Sequence, residues 1–272
     1  MSEFSLNDRV ANYGDGLFTT MAVSHGRVAL FERHRKRLLH DALQLGIMLD
    51  NDILVDAIRQ HAQSVEQGTL KLLISAGEGG RGYARGSGQP SLHFSVHALP
   101  AHYAQWREQG IRVGVSPVSL VRQPLLAGLK HANRLEQVLI KQQMATQQVD
   151  DVLVTDTAGN MIEASAANVF WCENGRWVTP DVSQCGVAGV MRSFVTERLA
   201  AQQCPVCVTE QPMPAPQHIE AMFITNALMQ IVPVRVLFAD QHAHTQAGFN
   251  IEPVKQIAQQ LRADYEQEYD TY

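Results

Sequence analysis

The sequence predicts an α/β (α+β) fold in two domains. Helical and strand patterns alternate along the whole chain, and an apolar content of 45% in 272 residues is enough for a large core. Pro117 and Pro124 interrupt any regular element between the two halves. We therefore expect a smaller N-terminal domain (1–113), an interdomain linker that begins the active site (114–130) and a larger C-terminal domain (131–272).

The first half combines helical periodicity with β-branched runs. Apolar spacing predicts a strand at 27–31, a helix that ends on Gly46 and a helix at 52–65; strands follow at 69–76, 91–98 and 111–117. A Gly-rich segment, 77–90, separates the first two of these later strands and is predicted to be a hairpin loop. Its Arg81 and Arg85 offer paired donors suited to carboxylates.

The second half begins with a helix, since Asn133 is a suitable N-cap and apolar residues follow it at helical spacing. This helix is expected to run to Gln148. The further predictions are strands at 151–156, 167–172, 176–180, 206–210, 221–226 and 232–238, a turn at Gly159 and Asn160, and helices at 191–203 and 252–266.

Charge and hydropathy exclude two classes of partner. The chain has 22 Lys and Arg against 27 Asp and Glu, a net charge of −5, so it lacks the basic field that holds nucleic acid or an anionic membrane. No run approaches the ~18 apolar residues of a membrane span, and the N-terminus lacks a signal core. We expect a cytoplasmic protein that binds a small molecule or another protein.

Several enzyme classes that are recognised by short motifs are absent. The eleven histidines form no HExxH motif and no Cys/His cluster with zinc spacing, so no metal is expected. There is no G-x-S-x-G elbow of a serine hydrolase, and the glycines of 14–18 do not fit a dinucleotide fingerprint.

One of the five lysines, Lys130, has an unusual setting, because it follows Gly128 and precedes a helix at the junction of the two halves. A lysine shielded from water there would present a neutral amine, the form that acts as a nucleophile or base. That setting suits a Schiff-base lysine. The residues alone favour the alternative, a surface lysine in front of a helix.

Two further motifs have the chemistry of a cofactor site. Glu163 is followed by small residues that permit close approach of a planar ligand, and a carboxylate beside a pyridine nitrogen keeps that ring protonated. His34 and Arg37 share a helix face, and an arginine is a natural partner for a phosphate. The alternatives are an exposed Glu in a turn and a basic run, 33–37, that is mainly a solvated helix face.

Taken together, six blocks in register resemble the fold-type IV family of pyridoxal-phosphate enzymes over essentially the whole chain. The family includes branched-chain aminotransferases, D-amino-acid aminotransferases and aminodeoxychorismate lyases. The blocks are 7–20, 34–38, 129–138, 162–171, 188–192 and 225–234. The resemblance implies a two-domain fold with the active site between the domains, pyridoxal 5′-phosphate as cofactor, a small-molecule substrate and a homodimer.

The resemblance also implies residue roles. Lys130 is similar to the Schiff-base lysine, Glu163 to the carboxylate that pairs with the pyridine nitrogen, and Arg37 to the phosphate-binding arginine. The remaining phosphate ligands fall on the main-chain amides of Val190 and Met191 and on Asn226 and Ala227. Aminotransferases of the family often carry a hydroxyl residue at the last pair, so a hydroxyl contact at Ala227 is lost here.

Within the family, the chain most resembles the aminodeoxychorismate lyases, which yield 4-aminobenzoate and pyruvate. The segment 116–140 and Thr19 carry this resemblance, since aminotransferases tend to have an acidic residue at the latter position. Arg81 first and Arg122 second are the expected partners of the substrate carboxylates. The alternatives are an aminotransferase for branched-chain or D-amino acids and an inactive member that serves as a binding subunit.

Overall fold

The computed structural model describes residues 5–79, 82–86, 88–239 and 246–270. The chain divides into two units. Unit 1 comprises the residues up to Leu99, the segment Leu129–Arg134 and the residues from Glu266 on; unit 2 comprises Pro100–Gly128 and Leu135–Tyr265. Lys130 thus belongs to unit 1. The domain limits expected at 113 and 130 stay a prediction.

Unit 1 contains a four-stranded antiparallel sheet with the strand order β2-β1-β3-β4. Its elements are α1 (Arg9–Tyr13), β1 (Gly16–Ser24), β2 (Arg27–Val28), α2 (Phe31–Gln44), α3 (Asn51–Ala62), β3 (Gln67–Ser75) and β4 (Ser91–His97). Alternate residues of β1 and β3, including Leu17, Met21 and Leu72, pack with Leu38 and Leu54 of the helices into one core. Thr19 points to the same face as Leu17 and is fully buried.

Unit 2 contains a mixed sheet of nine strands within the described residues, in the order β10-β9-β8-β11-β12-β5-β6-β7 with β13 paired to β12. The strands are β5 (Ile111–Val115), β6 (Asp151–Thr155), β7 (Met161–Ala164), β8 (Asn168–Glu173), β9 (Arg176–Pro180), β10 (Cys207–Thr209), β11 (Ala221–Asn226), β12 (Gln230–Phe238) and β13 (Gln246–Gly248). The helices are α4 (His102–Gln109), α5 (Leu135–Met144), α6 (Val190–Ala201) and α7 (Glu252–Gln260), and α8 (Arg262–Gln267) follows.

The core of unit 2 fixes the strands that carry candidate site residues. All four residues of β7 are buried, and so are the first four of β8 and the first five of β11. Trp171 and Phe223 are completely buried, and the Phe223 ring stacks on Phe170 with centroids 4.7 Å apart. Side chains at the ends of these strands are therefore held on a rigid support.

Most predicted elements are confirmed, and the deviations have local causes. The strand predicted at 27–31 stops at Val28, because Leu30 adopts a left-handed φ of 54° and leads directly into α2. The helix predicted from Asn133 begins at Leu135, and the Asn133 side chain donates to the Gly14 carbonyl instead of capping it. Among the described residues, no helix combines the length and apolar character needed to cross a bilayer.

Candidate active site

Lys130 lies in a short extended segment beside the first residues of β1. Its carbonyl accepts a hydrogen bond from the Phe18 N–H at 3.0 Å, and the next residue, His131, pairs with Leu17 in an isolated antiparallel bridge. The Lys130 N–H donates to the Asp41 carboxylate at 3.0 Å. Both peptide groups of Lys130 are thus fixed, and its Nζ lies 4.5 Å from the centroid of the Phe18 ring.

Arg37 projects from α2, and only part of its guanidinium forms a hydrogen bond within the described residues. Its Nη2 donates to Thr19 Oγ1 at 2.6 Å, whereas its Nε is buried and has no hydrogen-bond partner among the described residues. Burial lowers the pKa of Arg37 to about 10, and the charge of Asp41 opposes this effect. The group therefore stays protonated at neutral pH and can serve an anion with several oxygens.

Burial and nearby positive charge keep two histidines of unit 1 neutral. Burial, together with the charges of Arg134 and Lys130, lowers the pKa of His131 to about 4. Burial and the charges of Arg37 and Lys130 hold the pKa of His34 well below its usual range. His34 is fully buried, so the basic run 33–37 is not a uniformly solvated helix face.

The low pKa of His131 predicts a pH-dependent stability. A histidine with a folded-state pKa of about 4 and an unfolded pKa of 6.5 binds its proton only in the unfolded chain between these values. The contribution of His131 to stability is therefore fully present above pH 6.5 and is lost as the pH falls from 6.5 towards 4. Urea unfolding of the protein and of a His131→Asn variant should show a shallower decline for the variant.

Glu163 is held by a loop that approaches it closely in unit 2. The carboxylate is buried, with 6% exposure, and its Oε2 accepts a hydrogen bond from the Val187 N–H at 3.0 Å. Gly186 has φ +83°, and a Cβ there would lie 2.6 Å from Ile162 Cγ2 and 3.3 Å from Glu163 Oε2. The close approach requires glycine, and a backbone donor stabilises the ionised carboxylate.

The same loop leads into α6, whose first residues are Val190 and Met191. The helix has 12 residues, and its N-cap is Gly189, which provides no side-chain cap. Asn168 Nδ2 donates to the Val187 carbonyl at 2.8 Å, and a Cβ on Gly189 would lie 2.1 Å from Asn168 Oδ1. The N–H groups and the dipole at the start of this helix favour an anion.

The turn after β11 contains the other predicted phosphate ligands. Asn226 Oδ1 accepts from the Leu228 and Met229 N–H groups, each at 2.9 Å, so this side chain builds the turn. Ala227 offers only its peptide, as expected. Thr225 supplies a hydroxyl one residue before Asn226, and its Oγ1 is buried with no partner among the described residues.

The arginines expected to meet substrate carboxylates have different settings. Arg122 donates to Glu210 at 2.7 Å and to Asp156 at 3.2 Å, so a substrate carboxylate would have to displace these partners. Arg81 lies outside the described residues. Arg85, from the same loop, pairs with Asp15 and donates to the Gly46 carbonyl at 2.9 Å.

The structure therefore assembles two partial sites, one in each unit. In unit 1, Lys130 and Arg37 both interact with Asp41. In unit 2, the loop that contains Val187 contacts Glu163 and leads into the start of α6. Residues that the sequence analysis did not assign to the site contribute to both: Thr19, Asp41, His131 and Arg134 in unit 1, and Asn168 and Thr225 in unit 2. The spacing of His34 and Arg37 was visible in the sequence, but their shared partner Thr19 was not.

Comparisons with known proteins agree in the family they indicate. A family model described as amino-transferase class IV matches residues 16–237. An aminodeoxychorismate lyase from Vibrio harveyi is 34% identical over 239 residues, which are 87% of this chain and 88% of that protein.

Solved structures agree with the fold. The crystal structure of 4-amino-4-deoxychorismate lyase from Pseudomonas aeruginosa superposes with a TM-score of 0.90 at 34% identity, over 97% of this chain and 96% of that one. A branched-chain amino acid aminotransferase from Escherichia coli gives a TM-score of 0.84 at 18% identity, over 99% and 94% of the two chains, which shows the fold alone. The α/β fold predicted from the sequence is confirmed.

Proposed function

Because the chain belongs to the class IV amino-transferase family, we propose that it is an aminodeoxychorismate lyase that converts 4-amino-4-deoxychorismate to 4-aminobenzoate and pyruvate. The family is pyridoxal-phosphate-dependent and of fold-type IV. The observation that carries the choice of the lyase is the similarity to the Vibrio harveyi and Pseudomonas aeruginosa lyases over nearly the whole chain. Thr19, in place of an acidic residue, supports the same choice.

The donor set of unit 1 fits the phosphate and aldehyde of pyridoxal 5′-phosphate. Arg37 provides a buried Nε without an acceptor among the described residues, and the positive charge that, after burial, lowers the pKa of His34 and His131 favours a dianion nearby. Lys130 would carry the aldehyde on its Nζ, and hydrogen bonds to Asp41 and Phe18 fix its peptide groups. These residues would hold the cofactor from unit 1.

The donor set of unit 2 fits the pyridine ring and the phosphate. Glu163 would hold the protonated ring nitrogen, with the Val187 N–H already bonded to one carboxylate oxygen. The amides of Val190 and Met191, Asn226 and the peptide of Ala227 would offer unit 2's donors to the phosphate. The bound cofactor supplies an electron sink for the carbon that loses a proton.

Lys130 moves the protons of the reaction. Its Nζ removes the proton from the substrate carbon that carries nitrogen, and the electron pair of that C–H bond is used to expel the enolpyruvyl ether from the neighbouring carbon. The C–O bond breaks, the ring becomes aromatic as 4-aminobenzoate, and Lys130 Nζ returns the proton to the methylene carbon of the enolpyruvate. Pyruvate results, and atoms and charges balance.

The test is simultaneous measurement of both products. Purified protein loaded with pyridoxal 5′-phosphate should release 4-aminobenzoate and pyruvate from 4-amino-4-deoxychorismate in equal amounts. The same protein incubated with branched-chain or D-amino acids should keep the yellow absorption of the bound cofactor. Loss of that absorption with amino acids, without pyruvate from the chorismate derivative, would establish a transaminase instead.

The proposal includes a homodimer, for which unit 2 has a suitable surface. Helix α5 exposes Leu135, Val138 and Leu139 by 71%, 59% and 44%, and Ile140 is its buried residue. Val121, 62% exposed, is tied to this helix because its N–H bonds to Glu136 Oε1 at 2.9 Å. We call these four exposed residues the apolar patch, and a second copy of the chain would cover it.

Charge in the apolar patch should therefore prevent dimerisation. A Leu135→Glu, Val138→Glu variant is expected to have half the native mass in sedimentation equilibrium, because two carboxylates oppose burial of the patch. Leu43→Glu is the matched control, since Leu43 is also 71% exposed but lies on α2. A double variant with the native mass would contradict the assignment of the patch.

A further inference from the structure

The Thr19 hydroxyl lies between the phosphate-binding arginine of the proposed function and a buried histidine. Arg37 Nη2 is 2.6 Å from Thr19 Oγ1, and His34 Nδ1 is 2.7 Å from the same oxygen. Thr19 and His34 are both 0% exposed. The three groups form a short chain of hydrogen bonds inside unit 1, with Thr19 as the shared link.

Hydrogen-bond chemistry fixes the direction of the link between Arg37 and Thr19. A guanidinium group only donates, so Thr19 Oγ1 must accept from Arg37. The hydroxyl has one hydrogen, and His34 Nδ1 accepts it when the imidazole carries its proton on Nε2, an atom that is buried with no partner among the described residues. Burial holds the pKa of His34 well below its usual range, so the imidazole is neutral and one of its two nitrogens is an acceptor.

His34 thereby determines whether Thr19 Oγ1 presents a lone pair or its hydrogen to Arg37. While Nδ1 accepts the hydroxyl hydrogen, a lone pair of Oγ1 stays directed at Nη2. Without this acceptor, the hydroxyl hydrogen is free to turn towards the guanidinium, and donor would face donor. The Nε of Arg37, buried and without a partner among the described residues, depends for its orientation on the Nη2 bond.

We propose that His34 is a positioning residue for the cofactor phosphate, which acts through the Thr19 hydroxyl to hold the Arg37 guanidinium in its binding orientation. The proposal rests on the proposed function for the identity of the anion. It assigns His34 no contact with the substrate. If His34 acts on the phosphate, its replacement weakens the binding of a phosphorylated ligand only. If His34 serves general packing, its replacement weakens phosphorylated and unphosphorylated ligands alike.

Two ligands that differ only in the phosphate test this role. The dissociation constants of pyridoxal 5′-phosphate and of pyridoxal are measured on the cofactor-free full chain by tryptophan fluorescence, and the constant for pyridoxal divided by that for pyridoxal 5′-phosphate gives the contribution of the phosphate. His34→Leu should lower this ratio about tenfold, since it disturbs one charge-assisted hydrogen bond. Pyridoxal itself should bind with unchanged affinity.

Three further variants make the test specific. His34→Asn places an amide oxygen near the position of Nδ1 and should retain the native ratio. Thr19→Val should lower the ratio as His34→Leu does, and the double variant should lower it no further, because both act through one chain. His40→Leu, at an exposed position of the same helix, is the matched control and should leave the ratio unchanged.

The outcomes separate this inference from the proposed function. Equal weakening of both ligands in His34→Leu and Thr19→Val, or an unchanged ratio in both, would overturn the role of His34. If His34→Leu does not fold, Thr19→Val and His34→Asn decide by the same ratio. A native chain that binds pyridoxal and pyridoxal 5′-phosphate equally, or binds neither, would instead overturn the proposed function.

Discussion

Replacing Lys130 by alanine is expected to reduce lyase turnover by about 10³-fold or more, because the variant lacks the amine that moves the proton between substrate and product. The same change removes the attachment point for the cofactor. Borohydride treatment of the loaded native protein should add the mass of the reduced cofactor at Lys130. The variant should show no such adduct by peptide mass spectrometry.

Lys36 provides the matched control for this change, since it is an exposed lysine of α2. Lys36→Ala should retain the adduct at Lys130 and native turnover. Full turnover in Lys130→Ala, or an adduct on another lysine of the native protein, would refute the assigned mechanism. Overall folding of both variants is compared by circular dichroism, so that a loss of structure is recognised separately.

Replacing Glu163 by glutamine is expected to lower turnover about 100-fold, because a neutral amide does not stabilise the protonated ring nitrogen. The amide oxygen can still accept the Val187 N–H, so the loop and the affinity for pyridoxal 5′-phosphate should change little. Steady-state kinetics and the pH titration of the cofactor absorption measure the two effects. The titration midpoint should shift only in this variant.

Glu136 gives a control of the same chemistry. It also accepts a backbone N–H, that of Val121, and Glu136→Gln should keep both turnover and the titration midpoint. If Glu163→Gln retains native turnover, the carboxylate has no role in the electron sink. If it loses cofactor affinity in proportion to turnover, its role is binding alone.

Local sequence patterns predicted the elements that carry a strong apolar or β-branched run. The strand at 221–226 coincides with β11, since an apolar β-branched run there is buried and bounded by turns. Strand β1, which pairs with β3 over nine residues, was missed because its Thr, Ala and Ser residues give a weak pattern. Helix α4, with no buried residue, lacks the apolar stripe that reveals a helix.

The candidate site also contains some residues that the sequence identified and others whose roles only the folded structure reveals. The settings of Lys130, Glu163 and Arg37 within single blocks indicated a candidate cofactor site but left simpler alternatives open, and the resemblance in six blocks assigned their roles. The role of Thr19 depends on its contacts with side chains 15 and 18 positions along the chain, which only a fold supplies. Gly186 was likewise unassigned, since the need for glycine arises from Ile162 and Glu163 across the loop.

The positive charge around His34 and His131 has a consequence for how the protein is loaded. Cations that lower the pKa of both histidines also repel one another, and a bound dianion would relieve that repulsion in the folded state alone. Cofactor binding and folding are then thermodynamically linked. The melting temperature should rise with the concentration of pyridoxal 5′-phosphate, so thermal stability would report the occupancy of the enzyme without any assay of its reaction.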